Sequence, residues 1–288
     1  MHENCELCGN SAALKFAENI DPSKYTPTTY GSRKSPELMH YSLYECKDCN
    51  FLFSESGPSA TDLEKLYLGS EFDSPVEARH ASETYWREIA KRGISISQVL
   101  DVGAGEGSFL GLCLENGAML VEGIEPSASA RSHAQNEIQE FIMLGTFESA
   151  TPSGSFTLVT LFQTIEHLRD PLVFLAFAKA SLIEGGTVAL ACHDYQHPVN
   201  RLLGKRSPIF DVEHLQLFSR KSVRRLLLKA GFRSVSVRRY WNRYPLSYLI
   251  KLSPLGERFD WLWRNPGSFL HRVVVPVMLG NLFATATK

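Results

Sequence analysis

The chain has 288 residues, of which 44% are hydrophobic and 21% are charged. This composition supplies enough apolar side chains for a packed core and excludes a disordered or fibrous protein. No apolar run reaches the length of about 18 residues needed to span a bilayer. The start of the chain is polar and lacks the apolar stretch of a signal peptide, so we expect a soluble, cytoplasmic protein.

The formal net charge of −1 conceals an uneven distribution of charge along the chain. Residues 1–200 carry 13 Lys and Arg against 27 Asp and Glu, whereas residues 201–288 carry 17 against four. Such a split indicates either an anionic partner or basic helix faces that cover an acidic body.

Two C-x2-C pairs near the start of the chain predict a metal site. Cys5 and Cys8 form the first pair, and Cys46 and Cys49 form the second. Without a secretory signal, this spacing favours a structural zinc ion on four thiolates over disulfide bonds. We therefore expect a small zinc-ribbon-like module over residues 1–58.

A polar, helical segment follows, and a strand–helix alternation begins near residue 98. Helices are predicted over 60–69 and 76–92, which makes residues 59–97 a helical linker or lid. Strands are predicted at 98–102, 119–126, 141–145, 156–162, 187–194 and 232–240, with a closing antiparallel strand at 276–288. This alternation predicts a doubly wound α/β sheet over residues 98–288.

A glycine-rich turn after the first strand of this region indicates a ligand site. Gly103 and Gly105 permit close approach of a ligand to the backbone, and Glu125 ends the next strand, where an acid can bind ribose hydroxyls. A dinucleotide fingerprint is the rival interpretation, but Ser108 replaces its last small residue, and Asp101 would repel a pyrophosphate. The acidic rim instead favours a cationic adenosyl ligand, S-adenosylmethionine.

Four motifs in order resemble those of the class I S-adenosylmethionine-dependent methyltransferases. They are VLDVGAGEGSFL, EGIEPS, FTLVTLFQTIEHLRDP and LIEGGTVAL. The resemblance implies a Rossmann-like seven-stranded methyltransferase sheet and an enzyme that uses S-adenosylmethionine. It also implies a set of cofactor-binding residues: Asp101, Gly103, Ala104, Gly105, Glu125, Pro126, Glu148 and Gln163.

A narrower resemblance concerns the segment DVEHLQLFS at residues 211–219. Together with the amino-terminal cysteines, it is similar to sugar C-methyltransferases, although Asp211 and Leu217 replace tyrosines and that family's carboxyl-terminal domain has no counterpart here. The similarity implies His214 as general base, with Glu213 beside it. In an extended run adjacent side chains point in opposite directions, so we expect Glu213 to orient a helix or a substrate hydroxyl rather than touch His214.

Other histidines are further candidates for catalysis. His167, in the pair Glu166-His167, is either catalytic or part of a structural pair that anchors the next helix. His193 and His197 leave the strand at 187–194 and are fallback candidates for the base.

The basic carboxyl-terminal region has several open interpretations. An insertion at about 241–272 carries aromatic residues among cations, namely Phe259, Trp261, Trp263 and Phe269. It is a substrate lid, a dimer interface, an amphipathic surface in peripheral contact with anionic lipid, or a packed helix pair. We also expect Arg201, Lys205 and Arg206 to approach the acceptor pocket if the acceptor is anionic.

These observations predict a methyltransferase with structural Zn2+ that acts on a small-molecule, anionic acceptor, such as a nucleotide-linked sugar or another glycan or lipid precursor. The alternatives are a nucleic-acid methyltransferase, an NAD-dependent oxidoreductase and a non-catalytic zinc-ribbon interaction protein.

Overall fold

The computed structural model describes residues 2–31, 37–72, 75–251, 261 and 268–288. The strands in these ranges are β1 His2–Asn4, β2 Ser11–Phe16, β3 Leu43–Cys46, β4 Phe51–Phe53, β5 Gln98–Val102, β6 Leu120–Glu125, β7 Ile142–Leu144, β8 Phe156–Phe162, β9 Leu182–His193, β10 Gln216–Leu217, β11 Arg233–Arg239, β12 Asn242–Pro245, β13 Val274–Val277 and β14 Asn281–Thr287. The α-helices are α1 Ala60–Leu68, α2 Pro75–Ala90, α3 Ser108–Glu115, α4 Ala128–Ser132, α5 Asn136–Gln139, α6 Pro171–Ser181, α7 Pro198–Leu203, α8 Arg220–Lys229 and α9 Leu246–Lys251. Short 3-10 helices are Pro22–Lys24, Ile165–His167, Gly204–Arg206 and Phe269–His271.

Seven strands form one sheet in the order β11-β14-β9-β8-β5-β6-β7. The five strands from β5 to β9 are parallel to one another, and β14 runs antiparallel between β9 and β11. The predicted Rossmann-like, seven-stranded sheet with an antiparallel closing strand is therefore confirmed. The chain leaves β5 toward β6 and β7 and then returns to β8 on the other side of β5. A ligand crevice is expected at the carboxyl ends of the strands where this order reverses.

A local signal fixes the start of helix α6, whereas pairing with the distant strand β8 sets the start of β9. The Asp170 carboxylate accepts the backbone N–H groups of Leu172 and Val173 at the start of α6, as an N-cap does. Strand β9 begins directly after α6, earlier than the predicted residue 187. Leu182 pairs with Phe156 on β8, and Thr187 pairs with Leu158. The pairing register shifts between these two pairs, where β9 contains the additional residues 183–186.

The amino-terminal sheet takes its last strand from a distant part of the sequence. Its order is β1-β2-β3-β4-β10, and β10 pairs antiparallel with β4. Phe51 on β4 packs against Phe218 with ring centroids 5.4 Å apart, and both belong to the hydrophobic cluster that includes the interior of the seven-stranded sheet. The amino-terminal segment is thus built into the larger core. The domain limits 1–58, 59–97 and 98–288 remain predictions.

The carboxyl-terminal region forms a separate hairpin before it enters the main sheet. Strand β13 pairs with β12, the chain turns at Gly280 with a φ of 84°, and β14 begins at Asn281. The predicted strand 276–288 is therefore divided between two sheets. Phe259 and Trp263 lie outside the described residues. In the part of the chain that the structure describes, no helix is long and apolar enough to cross a bilayer.

The shared core leads to a prediction about unfolding. Phe51→Ala should lower the free energy of unfolding by about 3–5 kcal/mol, because it leaves a cavity between the amino-terminal sheet and the main core. All four tryptophans of the chain follow residue 85, so tryptophan fluorescence in a urea titration reports on the methyltransferase part. Its midpoint should fall in this variant.

The matched control is Leu14→Ala on strand β2, because Leu14 is 41% exposed. That variant should change stability by no more than about 0.5 kcal/mol. A tryptophan transition that does not move in Phe51→Ala would show that the amino-terminal sheet unfolds independently.

Candidate functional site

One cavity of about 530 Å³ lies at the carboxyl ends of the central strands. It is lined by the eight residues that the sequence predicts for cofactor binding and by the three principal catalytic candidates, namely Asp101, Gly103, Ala104, Gly105, Glu125, Pro126, Glu148, Gln163, His167, Glu213 and His214. The eight predicted cofactor residues and the three predicted catalytic residues therefore surround one continuous space.

The glycine-rich turn after β5 adopts a conformation that requires glycine. Gly103, Gly105 and Gly107 have φ values of 77°, 57° and 75°, in the left-handed region. A Cβ atom at Gly103 would lie 2.3 Å from Thr164 Oγ1, so a side chain there would also collide with the loop after β8. The turn can therefore expose its backbone to a ligand.

Glu125 is held in place by backbone groups on both sides. Its Oε2 accepts the Gly105 N–H at 2.8 Å, and its Oε1 accepts the Ser127 N–H at 2.8 Å. Burial raises the pKa of the Glu125 carboxyl group, and these two N–H groups oppose that shift. The carboxylate has a fixed orientation at the end of β6, as an acceptor of ribose hydroxyls needs.

Asp101 is buried at the end of β5 and is bonded to the next strand. Its Oδ1 accepts the Thr160 hydroxyl at 2.6 Å. Burial raises the pKa of Asp101 to about 7. A cationic ligand in the cavity would favour the ionised form of this carboxyl group. Sequence reasoning missed Thr160, since a threonine inside a strand pattern gives no functional signal.

Gln163 adopts a strained backbone conformation where β8 ends. Its φ is 54°, and its N–H donates to the Ala191 carbonyl at 2.7 Å. The Gln163 Oε1 atom is buried without a hydrogen-bond partner among the described residues. Non-glycine residues in this region cost about 1–3 kcal/mol and cluster at functional sites. A buried hydrogen-bond acceptor that lacks a partner beside the cavity is consistent with a side chain that contacts a bound ligand.

An aromatic wall that sequence reasoning missed closes the cavity next to Gln163. Tyr85 on α2 stacks on Phe162 with ring centroids 4.3 Å apart, and both side chains line the cavity. Tyr85 lies in the segment that the sequence predicts as a linker or lid. The signal was an aromatic pair, Tyr85-Trp86, in an otherwise polar helix.

Three catalytic candidates lie close together in the wall of the cavity. His167 Nδ1 is 3.8 Å from Glu213 Oε2, and His214 Nε2 is 3.9 Å from Glu213 Oε1. Residues 211–214 form a turn in which the His214 N–H donates to the Asp211 carbonyl. The expectation that Glu213 points away from His214 is therefore wrong, because the segment is not extended.

Hydrogen bonds to the two imidazole rings define their orientation. His214 Nδ1 lies 2.9 Å from the Ile209 carbonyl oxygen, so Nδ1 carries a proton and the neutral ring keeps its lone pair on Nε2. His167 Nδ1 lies 2.9 Å from the Tyr67 hydroxyl of α1. The donor atoms of His167, Glu213 and His214 all lie within 4.8 Å of one another. Such a group can pass a proton or hold a divalent cation.

The adjacent residues Glu166 and His167 lie in different environments. Glu166 is fully buried, and its Oε1 accepts the His193 N–H at 2.6 Å. Burial raises the pKa of Glu166 to about 8. Glu166 thus supports the chain under the cavity, whereas His167 lines it.

The remaining candidates differ in position. His193 lines the cavity, with its Nδ1 2.8 Å from Asn281 Oδ1, whereas His197 does not. Arg201, Lys205 and Arg206 are exposed and do not line the cavity, so the expectation that they approach the acceptor pocket is wrong. Their segment turns outward through α7 before Pro208 and Ile209 return to the cavity wall.

The four amino-terminal cysteines converge, as their spacing predicts. Cys5 Sγ is 3.5 Å from Cys49 Sγ, Cys8 Sγ is 3.5 Å from Cys46 Sγ, and all four sulfur atoms lie within 4.8 Å of one another. Tetrahedral zinc with Zn–S bonds of about 2.3 Å needs sulfur atoms about 3.8 Å apart. The Cys49 thiol donates to Cys5 and lowers the pKa of Cys5 to about 5. The donor set and its dimensions fit zinc.

Comparisons with known proteins identify the family of the chain. A family model described as a methyltransferase domain matches residues 77–237. The tRNA U34 carboxymethyltransferases of Alcanivorax borkumensis and Dichelobacter nodosus are each 30% identical, over 128 and 125 residues. These matches cover 41% and 40% of this chain and 40% and 39% of those proteins, so the chain spans about two fifths of the length of these curated relatives.

Solved structures share the fold at low sequence identity. An S-adenosylmethionine-dependent methyltransferase from Archaeoglobus fulgidus has a TM-score of 0.50 at 16% identity, covering 80% of this chain and 100% of that chain. Another from Mesorhizobium loti has a TM-score of 0.50 at 17% identity, covering 73% and 100%. Because the family model covers more than half of the sequence, the chain belongs to the methyltransferase-domain family and has the fold of the S-adenosylmethionine-dependent methyltransferases.

Proposed function

We propose that this protein transfers a methyl group from S-adenosylmethionine to a small acceptor molecule that carries sugar-like hydroxyl groups. The observation that carries the proposal is that one cavity is lined both by the glycine-rich turn, here called the cofactor end, and by the His167–Glu213–His214 group, here called the acceptor end. A methyl donor and an acceptor can be held next to each other inside such a space.

The cofactor end suits an adenosyl ligand with a positive charge. Bound S-adenosylmethionine supplies an electrophilic methyl group on a sulfonium. Glu125 is oriented to accept ribose hydroxyls, and Asp101 is close enough to the cavity to balance the ligand's positive charge. Pro126, Glu148 and Gln163 are proposed to complete the contacts with the cofactor.

At the acceptor end, His214 is proposed as the general base. Its Nε2 takes a proton from the acceptor while the acceptor atom forms a bond to the methyl carbon and the carbon–sulfur bond breaks. The Ile209 carbonyl holds the ring by Nδ1–H, and the Glu213 carboxylate, 3.9 Å from Nε2, stabilises the positive charge that develops on the imidazole. His167 is proposed to position Glu213.

The charge of the cavity limits the acceptor. The described acids that line it are Glu64, Asp101, Glu106, Glu125, Glu148, Asp211 and Glu213, against the single arginine Arg169, which donates to the Ser54 and Glu55 carbonyls. An anion inside this cavity would be repelled. The reactive part of the acceptor is therefore proposed to be uncharged, while any phosphate of a nucleotide-linked or lipid-linked precursor stays outside.

A second candidate function is methyl transfer to a nucleic acid. It is favoured by the two curated relatives, which are named for tRNA U34. Binding of tRNA would fall steeply as salt is raised, because phosphate contacts release counterions. Adenosylhomocysteine release with added tRNA or with a nucleotide-linked sugar, measured at two salt concentrations, separates the two candidates.

The four cysteines are proposed to hold one structural zinc ion per chain. The zinc would contribute free energy of folding to the amino-terminal sheet. Elemental analysis under reducing conditions should give one zinc per chain, and Cys49→Ala should lose it. Cys113→Ala is the matched control, because Cys113 is equally buried but lies outside the cluster. Protein purified without zinc would contradict this proposal.

Removal of the Glu125 carboxylate should weaken cofactor binding. Glu125→Ala removes a charge-assisted contact with the ribose, so the affinity for S-adenosylmethionine should fall about 10- to 100-fold in titration calorimetry. Glu115→Ala, an exposed position at the end of α3, should bind with the parent affinity. Equal affinities in both variants would remove Glu125 from the cofactor site.

Loss of the proposed base should slow turnover without affecting the cofactor. His214→Gln should reduce methyl transfer by about 10²–10⁴-fold and leave the affinity for S-adenosylmethionine unchanged. The control His133→Gln alters an exposed histidine that also bonds to a backbone carbonyl but does not line the cavity. A His214→Gln enzyme with the parent rate would transfer the role of base to another group.

A further inference from the structure

Three segments near the acceptor end of the cavity meet on one surface. They are residues 197–206, 241–246 and 268–280, which we call the carboxyl-terminal surface. Strands β12 and β13 pair with each other, and the Leu246 N–H donates to the Val273 carbonyl at 2.8 Å. A Cβ atom at Gly280 would lie 2.8 Å from His197 Cβ, so the third segment contacts the first.

This surface exposes large apolar side chains to water. Leu202 is 88% exposed, Phe269 69% and Trp241 57%. Further exposed apolar residues of the same surface are Val199, Leu203, Val273 and Leu279. Isolated apolar side chains are common on protein surfaces, but a concentration of them in three adjoining segments marks an interaction surface.

The charge of the surface has one sign. Its exposed cations are Arg201, Lys205, Arg206, Arg243 and Arg272. The sequence of the three segments contains no Asp or Glu. The partner must therefore be anionic and must also accept aliphatic and aromatic side chains.

The carboxyl-terminal surface adjoins the proposed acceptor site. Pro208, Ile209, Tyr244 and Asn281 line the cavity, and each lies in one of the three segments or within three residues of one. Ile209 also accepts the hydrogen bond that fixes His214. An acceptor that enters between these residues would pass from the surface directly to the proposed base.

We propose that the carboxyl-terminal surface docks on an anionic lipid bilayer and that the acceptor is the saccharide of a lipid-linked phosphate. This inference rests on the proposed function. The apolar side chains enter the boundary between headgroups and acyl chains, and the cations bind the lipid phosphates. The phosphate of the acceptor stays with the cations outside the acidic cavity, while its uncharged sugar reaches His214.

Other occupants of the surface fit less well. RNA would satisfy the cations and could stack on Trp241 or Phe269, but it offers no apolar environment for Leu202, Val199 or Leu279. A second copy that used the same three segments would place cations against cations, because none of these segments, all within the described residues, contains an Asp or Glu.

Vesicle sedimentation tests the proposal independently of catalysis. The protein should sediment with vesicles of equimolar phosphatidylcholine and phosphatidylglycerol and should stay in solution with phosphatidylcholine alone. Leu202→Glu and Trp241→Glu should each reduce binding to the anionic vesicles about tenfold or more. Met119→Glu is the matched control, because Met119 is 79% exposed at the opposite end of the sheet. All three variants should keep the parent affinity for S-adenosylmethionine.

Three results would overturn the proposal. In the first, the protein does not bind the anionic vesicles. In the second, it binds tRNA and Leu202→Glu abolishes that binding. In the third, it is a dimer in solution and Leu202→Glu converts it to a monomer. Each outcome is distinguishable from failure of the proposed function, which would appear as unchanged methyl transfer in His214→Gln.

Discussion

A single buried carboxylate joins the two strands between which the cofactor is expected to bind. Glu125 accepts one N–H from the turn after β5 and one from the turn after β6. Gly103, Gly105 and Gly107 leave the first turn with much conformational freedom. The Glu125 bridge restricts that freedom, together with the bonds of the Gly103 and Ala104 N–H groups to the Ile124 carbonyl. Gly103 in this turn lies directly against Thr164, which lines the cavity together with Asp101. Contacts within the protein thus hold the cofactor end in one conformation, which lowers the entropic cost of binding.

The acceptor end depends on contacts between residues that are far apart in the sequence. Tyr67 on α1 meets His167, which lies 100 positions later in the chain. Glu213 then contacts both His167 and His214. Because these groups come from separate segments, movement of α1 or of the turn at 211–214 would separate them. An acceptor that binds to these residues would therefore also hold α1 and the turn at 211–214 in place.

Local sequence patterns predicted the parts of the molecule that depend on local physics. The strand at 98–102, the glycine-rich turn, the N-cap at Asp170 and the two C-x2-C pairs were found correctly, because each rests on residue spacing or backbone conformation. The two-residue strand β10 could not be predicted, since only its pairing with β4 defines it. The turn that directs both Glu213 and His214 into the cavity, and the outward path of Arg201, Lys205 and Arg206, likewise depend on tertiary packing.

A crystal structure with bound S-adenosylhomocysteine would show whether one cavity holds both donor and acceptor. We predict that the ribose hydroxyls donate to Glu125 and that the sulfur atom faces His214 Nε2 across a space large enough for a sugar ring. A ligand whose sulfur faces away from His167, Glu213 and His214, or a ribose that does not contact Glu125, would contradict this prediction.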